Sequence, residues 1–194
     1  KEINILYLLI VFINFFLLNE IFKILKKIFK KNKIKLLISF IFSISYMFLF
    51  SLTIILFLNQ SFELNKVKIL FLLFICISTD IGGYVFGKII GGKKLTKISP
   101  NKTISGSIGS FVFSMFPLTV YNYYEFNLLY FIIFIFLLSL ISQCGDLLIS
   151  YFKRKAKVKD TGSILPGHGG ILDRIDGIIF AVPAAFILIN LMKL

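Results

Sequence analysis

The 194-residue sequence has no tryptophan, one histidine, two cysteines and nine acidic residues. Both cysteines, Cys76 and Cys144, lie in apolar runs, which argues against a disulfide framework. A zinc site is not expected, because the single histidine, His168, has no paired cysteines nearby. No strand pattern competes with the long apolar runs, and isolated strands do not span a bilayer. These absences leave an all-α protein as the expected fold class.

Apolar residues dominate what is present. They make up 58% of the chain, which includes 24 phenylalanines, and the mean hydropathy is +0.93. Soluble domains are nearer half apolar, and a helix crosses the hydrocarbon core with about 20 residues. We therefore predict a polytopic integral membrane protein. About six transmembrane helices are expected, over residues 3–22, 36–58, 67–90, 105–121, 128–149 and 171–191.

The basic residues are distributed unevenly. The net charge is +13, and 17 of the 22 Lys and Arg residues fall in segments 23–35, 88–102 and 153–159. These segments follow the first, third and fifth predicted spans, whereas the connections between them carry little positive charge. Because basic loops stay on the cytoplasmic side, all three are predicted to face the cytoplasm from the cell membrane. The excess charge is thus interpreted as a topology signal, and nucleic acid is not expected as a partner.

Carboxylates inside apolar segments are the sharpest sequence feature. Asp80 and Asp146 lie in predicted membrane helices, where a charged residue costs about 2.5–3.5 kcal/mol on insertion scales. Such residues face polar cavities and mark functional sites. Asp160, Asp173 and Asp176 follow on the same predicted side of the membrane. The aspartates therefore indicate a site at the cytoplasmic ends of the spans.

Two polar constellations surround these aspartates. In the first, four residues spaced by three or four share a helix face: Gln143, Asp146, Ser150 and Lys153. A glycine-rich turn, 167–170, precedes Asp173, and its backbone amides could approach an anion at a helix N-terminus. Carboxylates for Mg²⁺, cations and amides are what phosphoryl transfer requires. The second constellation joins Asp80 to the Ser, Asn, Lys and Thr side chains of residues 99–103.

The order and spacing of these residues match a known family. From Ser150 to Asp176 the chain reads S-x-x-K-R-x4-K-D-x-G-x2-L-P-x-H-G-G-x-x-D-R-x-D, which resembles the signature of phosphatidate cytidylyltransferases, also called CDP-diacylglycerol synthases. Residues 99–103 resemble a second motif of that family. There this chain departs from the pattern, with Ile104 and Ser105 where the family has an aromatic and an acidic residue.

The resemblance implies an enzyme that transfers CMP from CTP to phosphatidic acid, with Mg²⁺ and optionally a second cation as cofactors. It also implies a homodimer with a cytoplasm-facing cavity open to membrane lipid, and further N-terminal spans before Lys1. The implied metal ligands are Asp146 and Asp173. The implied catalytic residues are Asp146, Asp173, Lys153, Arg154, His168 and Asp176. The implied substrate-binding residues are Lys159, Arg174, Gly169, Gly170, Ser150, Asn101, Lys102, Thr103 and Asp80.

We divide the chain into N-terminal transmembrane helices, 1–66, and a catalytic region, 67–194, with cytoplasmic loops 91–104 and 151–170. Two other functions stay open at this point. A CTP-dependent kinase of a lipid alcohol, such as a polyprenol, would share the membrane helices and nucleotide site. A transporter would also use intramembrane aspartates. The glycine-rich turn and the Lys/Arg cluster favour phosphate chemistry over transport.

Overall fold

The computed structural model describes residues 2–59, 62–123, 127–167 and 169–192. Within these ranges the chain forms helices and two isolated β-bridges, without a strand. The helices are α1 (Glu2–Ile28), α2 (Lys33–Asn59), α3 (Phe62–Ile89), α4 (Ile104–Ser114), a 3₁₀ helix (Phe116–Tyr123), α5 (Leu128–Lys155), α6 (Leu172–Ile175) and α7 (Ile178–Met192). The predicted all-α fold class is confirmed.

Five segments of the described chain are long and apolar enough to cross a membrane. They are Ile5–Ile28, Lys33–Leu58, Lys68–Ile89, Leu128–Lys155 and Leu172–Met192. Large apolar side chains such as Phe42, Ile89 and Leu191 are exposed on the outside of the helices. An apolar surface of this extent suits contact with lipid, so the chain is an integral membrane protein.

The fourth predicted span, 105–121, differs from the expected single helix. The structure has the 11-residue helix α4 followed by the 3₁₀ helix. Pro117 lies where an α-helix would have to continue, and proline lacks the amide proton for the helical hydrogen bond. The two pieces together have a length of about 30 Å, from a rise of about 1.5 Å per α-helical residue and about 2 Å per 3₁₀ residue.

Helix α4 packs closely along α3 in the opposite direction. A Cβ added to Gly106 would lie 2.7 Å from the carbonyl oxygen of Gly83 and 3.3 Å from the Cα of Gly87. Farther along, the rings of Phe74 and Phe116 lie 5.9 Å apart, so the 3₁₀ helix reaches the N-terminal half of α3. The Gly-x-x-x-Gly spacing at residues 83 and 87 thus serves helix packing, because small residues let backbones approach.

The three basic segments lie at one end of the helices. The Lys155 ammonium lies 6.0 Å from the Phe29 ring, next to the α1–α2 connection. Arg154 Nε donates a hydrogen bond of 3.4 Å to the Ile98 carbonyl, within the connection between α3 and α4. The last turn of α5 is at this basic end, so α5 begins at the opposite end of the helices. The segment formed by α4 and the 3₁₀ helix therefore runs from the basic end to the opposite end. Which side of the membrane the basic end faces stays a prediction.

Two helix boundaries near the site also differ from expectation. Helix α5 continues to Lys155, six residues beyond the predicted end, and its last turn is basic. Cations there are stabilised by the negative end of the helix dipole. The last predicted span is divided into α6 and α7 at Asp176 and Gly177. A Cβ on Gly177 would lie 3.0 Å from the Ser142 carbonyl oxygen, so this break allows close approach to α5.

The apolar core lies between α3, α5 and α7. Ile75, Ile135 and Leu138 are fully buried there, and Ile179 of α7 is almost so. The Tyr46 hydroxyl of α2 donates a hydrogen bond of 3.2 Å to the Ile179 carbonyl. This core fixes α5 against its neighbours, and α5 supplies Asp146, Ser150 and Lys153 to the site.

Candidate active site

A cavity of about 250 Å³ lies where α3, α4 and α5 meet. Asp80 of α3 and Asp146 of α5 line it, together with Asn101, Lys102 and Thr103 of the preceding loop. All five were predicted as site residues from widely separated parts of the sequence. The structure therefore brings Asp146 of the first constellation into the same cavity as the second constellation.

The loop before α4 is held in a tight, hydrogen-bonded conformation. Leu95 N donates to Lys102 O at 2.8 Å, and Lys102 N donates to Ser99 O at 3.0 Å. Thr103 caps α4, with its Oγ1 accepting from Gly106 N at 3.0 Å. Such a cap satisfies one of the free amides at a helix start. The side chain of Lys102 is consequently presented to α5 from a fixed backbone.

Asp146 interacts with the other charged side chains around the cavity. Its Oδ2 forms an ion pair with Lys102, and Ser150 Oγ lies 3.4 Å from its Oδ1. The carboxylates of Asp80 and Asp176 both interact electrostatically with Asp146, and Asp176 is close enough to it for a hydrogen bond. Crowded carboxylates repel one another, so this arrangement favours a bound cation.

The second charged group is more deeply buried. Lys153 Nζ lies 2.8 Å from Asp173 Oδ1, with side chains that are 13% and 8% exposed. Asp173 Oδ2 accepts from Thr161 N at 2.8 Å and from Gly170 N at 2.9 Å. Lys153 also interacts electrostatically with Asp176, which connects this pair to Asp146. A buried charge pair is tolerated when further hydrogen bonds satisfy its members, and the backbone amides of Thr161 and Gly170 do so for Asp173.

The glycine-rich turn packs against Asp173. Leu165 N donates to Gly169 O at 3.0 Å, and Gly167 and Gly169 have φ angles of +73° and +84°. A Cβ on Gly169 would also lie 2.8 Å from Asp173 Oδ2, so a side chain there is disfavoured by both conformation and space. The Gly170 amide, predicted to meet a phosphate, is bonded to Asp173 in this structure.

Other predicted site residues lie outside the cavity. Arg154, Lys159 and Arg174 are exposed near the basic end of the helices, whereas Ser150 is buried beside Asp146. His168, predicted as a catalytic residue, lies outside the described residues. The structure thus joins Asp80, the 101–103 loop and Asp146, and links them to Lys153 and Asp173.

The carboxylates at the site suit a magnesium ion that takes part of its ligands from substrate phosphates and water, rather than one held by protein side chains alone. Within the described ranges, no three His, Cys, Asp or Glu side chains are grouped closely enough to hold a metal. Magnesium usually binds one or two carboxylates and takes its other oxygens from water and phosphates. Asp146, with Asp176 beside it, offers such a pair. Asp173, the second predicted ligand, has both oxygens bonded to protein groups in this structure.

Sequence reasoning missed Glu20 and Thr161. Glu20 lies in α1 and is fully buried, and its Oε2 accepts a hydrogen bond of 2.7 Å from Thr161 Oγ1. The signal for Glu20 was present, because an acidic residue inside an apolar span is unusual in the same way as Asp80. Thr161 carried no such signal, since a threonine between charged residues is ordinary in a loop.

The chain matches the family model described as the cytidylyltransferase family over residues 2–192. It is 45% identical over 125 residues to the phosphatidate cytidylyltransferase of Staphylococcus saprophyticus, covering 62% of this chain and 48% of that protein. For the Staphylococcus aureus protein of that name the identity is 48% over the same length and shares. For the Rickettsia bellii protein it is 46% over 132 residues, which are 60% of this chain and 56% of that protein. The chain spans about half the length of these relatives.

Proposed function

This chain belongs to the cytidylyltransferase family, and from that premise we propose that it transfers CMP from CTP to phosphatidic acid. The products are CDP-diacylglycerol and pyrophosphate, as used in phospholipid synthesis. The names of the relatives support this proposal, because all are phosphatidate cytidylyltransferases. One structural observation supports it further: Asp80, Lys102 and Asp146 line one cavity, and Lys153, two turns after Asp146 on α5, forms an ion pair with Asp173.

In this proposal the cations of the site bind the phosphates of the substrates. Lys102 and Lys153 each hold a carboxylate in this structure, and the same ammonium groups can donate to phosphate oxygens when substrates arrive. Asn101 and Thr103 lie beside Lys102 and add neutral donors. The exposed cations Arg154, Lys159 and Arg174 would attract CTP and the anionic lipid headgroup to the basic end.

The reaction needs little covalent chemistry from the protein. A phosphate oxygen of phosphatidic acid attacks the α-phosphorus of CTP, and the bond from that phosphorus to the β-phosphate bridging oxygen breaks. The electron pair leaves with pyrophosphate, so charge and atoms balance. The phosphate nucleophile is already anionic, and the lysines stabilise charge that develops on the transferred group and the leaving group.

We propose Mg²⁺ as the cofactor, held by Asp146 and Asp173 with Asp176 beside them. A bound magnesium ion would neutralise charge on the phosphates of CTP. For Asp173 to take part, Lys153 would transfer its contact from the carboxylate to a substrate phosphate. Chelation of divalent ions should therefore abolish turnover, and Mg²⁺ should restore it. Asp146→Asn should raise the Mg²⁺ concentration needed for half-maximal rate.

The membrane orientation and the association state are also part of this proposal. Because 17 of the 22 basic residues lie in three segments that meet at one end of the helices, we place the site on the cytoplasmic side of the cell membrane. A homodimer is expected from the family resemblance. Crosslinking in native membranes, compared with detergent-solubilised protein, would measure the association state.

Labelled CTP distinguishes this function from its alternatives. The protein in membranes is supplied with phosphatidic acid, Mg²⁺ and CTP labelled at either the α- or the γ-phosphate. We expect the α label to appear in the lipid and the γ label in pyrophosphate. Label transferred from the γ-phosphate to a lipid alcohol would indicate a kinase instead. The absence of any labelled lipid would contradict both enzymes and leave transport as the alternative.

A further inference from the structure

Glu20 is a buried carboxylate within the first membrane helix. It lies in α1, where its side chain is 0% exposed and has Leu17 and Ile24 as buried neighbours on the same face. Burying a carboxylate is unfavourable unless its oxygens accept several hydrogen bonds. The hydrogen-bond partners of Glu20 therefore indicate what this carboxylate does in the structure.

Among the described residues, the hydrogen-bond partners of Glu20 all lie in the segment that leads to Asp173. Its Oε1 accepts from Ile171 N at 3.0 Å, and its Oε2 accepts from Leu172 N at 3.0 Å and from Thr161 Oγ1 at 2.7 Å. Both oxygens are used, which leaves Glu20 as a support for the backbone rather than a metal ligand. A single side chain of α1 thus fixes both ends of the 161–172 segment.

Thr161 transmits this support to Asp173. Its backbone N donates to Asp173 Oδ2 at 2.8 Å, and its hydroxyl oxygen lies 3.0 Å from the same atom. The hydroxyl has one proton and lies closer to Glu20, so it donates to Glu20 while the amide donates to Asp173. Glu20 and Asp173 are therefore both held by one threonine.

Two glycines give independent support for this contact. A Cβ on Gly162 would lie 2.7 Å from Glu20 Oε1, and a Cβ on Gly170 would collide with Thr161 Oγ1 and Glu20 Oε2. Contacts under 3 Å force neighbouring atoms to move. The glycines at these two positions of the motif are thus explained by close packing on the Glu20 carboxylate.

We propose that Glu20 is a positioning residue of the active site. It anchors Thr161 and the amides of Ile171 and Leu172, so that the backbone amides that hold Asp173 Oδ2 stay in place. This inference rests on the proposed cytidylyltransferase function. It makes α1 part of the catalytic unit, although residues 1–66 carry none of the predicted site residues. A displacement of about 1 Å at a catalytic group can lower the rate about 10²-fold.

Glu20→Gln is the sharpest test, because it keeps the shape and replaces one acceptor oxygen by an NH₂ group. That group must face a backbone amide or the Thr161 hydroxyl, so at least one anchoring bond is lost. We expect kcat to fall about 10²-fold, with little change in the KM for CTP, because Glu20 does not line the cavity.

Thr161→Ser should retain activity, because it keeps the hydroxyl that donates to Glu20, and Thr161→Val should lose activity, because it removes that hydroxyl. Asn14→Ala, which removes an α1 hydrogen bond to Ser51, is the matched control.

A second measurement does not depend on activity. Hydrogen exchange of the Ile171 and Leu172 amides should accelerate in Glu20→Gln and stay as in the wild type in Asn14→Ala. Wild-type exchange and wild-type kcat in Glu20→Gln would overturn the inference, as would faster exchange spread over all helices. If the wild-type protein forms no CDP-lipid, the proposed function fails, while the exchange of these two amides still tests the anchor.

Discussion

Lys153 Nζ lies 2.8 Å from Asp173 Oδ1, which joins the last turn of α5 to the short helix α6. Both side chains are largely buried, and the second oxygen of Asp173 accepts backbone hydrogen bonds from Thr161 and Gly170. The pair therefore fixes the position of α6 relative to α5. Because Asp146 lies two turns before Lys153 on α5, the same contact sets Asp173 near the cavity.

Asp173→Asn should abolish turnover while the protein stays folded. One oxygen remains to accept from the Thr161 and Gly170 amides, but the amide nitrogen then faces Lys153 and loses the ion pair. We expect a fall in kcat of about 10²-fold or more. CDP-lipid formation measures the loss, and thermal unfolding in detergent checks the fold. A variant with nearly normal turnover would remove Asp173 from the reacting site.

Lys102→Met should weaken CTP binding more than it affects stability. The Lys102–Asp146 pair is partly exposed, and such pairs contribute about 0–1 kcal/mol to folding. A charge-assisted hydrogen bond to a phosphate is worth about 1.5–3 kcal/mol, so the KM for CTP should rise about tenfold or more. Lys94→Met, an exposed lysine in the same loop, is the control. Equal KM values for the two variants would contradict a phosphate contact.

Gly82→Ala should separate α3 from α4. A Cβ at this position would collide with the Gly109 carbonyl and lie 2.6 Å from Phe113 Cβ. Overpacking of this kind costs about 1–3 kcal/mol, which should lower the unfolding temperature and disturb the cavity beside it. Ile108→Ala, at an exposed position of α4, should leave unfolding close to that of the wild type. A thermally unchanged Gly82→Ala protein would argue against the close packing.

The basic segments should be labelled from the cytoplasmic side alone. Lys31→Cys and Lys93→Cys, each made in a Cys144→Ser background, place one exposed thiol in two different basic segments. A membrane-impermeant thiol reagent should modify both in inverted vesicles and neither in intact cells. Modification of either variant in intact cells would reverse the proposed orientation of the site.

Much of the architecture could be predicted from local patterns. The apolar runs predicted about six membrane-crossing helices, and five of them are found with boundaries within several residues. The fourth span was wrong as a single helix, because the effect of Pro117 was overlooked. The division at Asp176 and Gly177 depends on packing against Ser142, a contact between distant segments.

The sequence by itself determined that this protein lies in a membrane, that its basic segments alternate with its spans, and that aspartates, lysines and glycines form a cytidylyltransferase motif. Only the tertiary structure decided which groups meet: Asp146 with Lys102, 44 residues away, and Glu20 with Thr161, 141 residues away. Spacing along one helix fixes which side chains share a face, because that follows from 3.6 residues per turn. Pairing between helices depends on the rotation and register at which they pack, and these are set by the whole core.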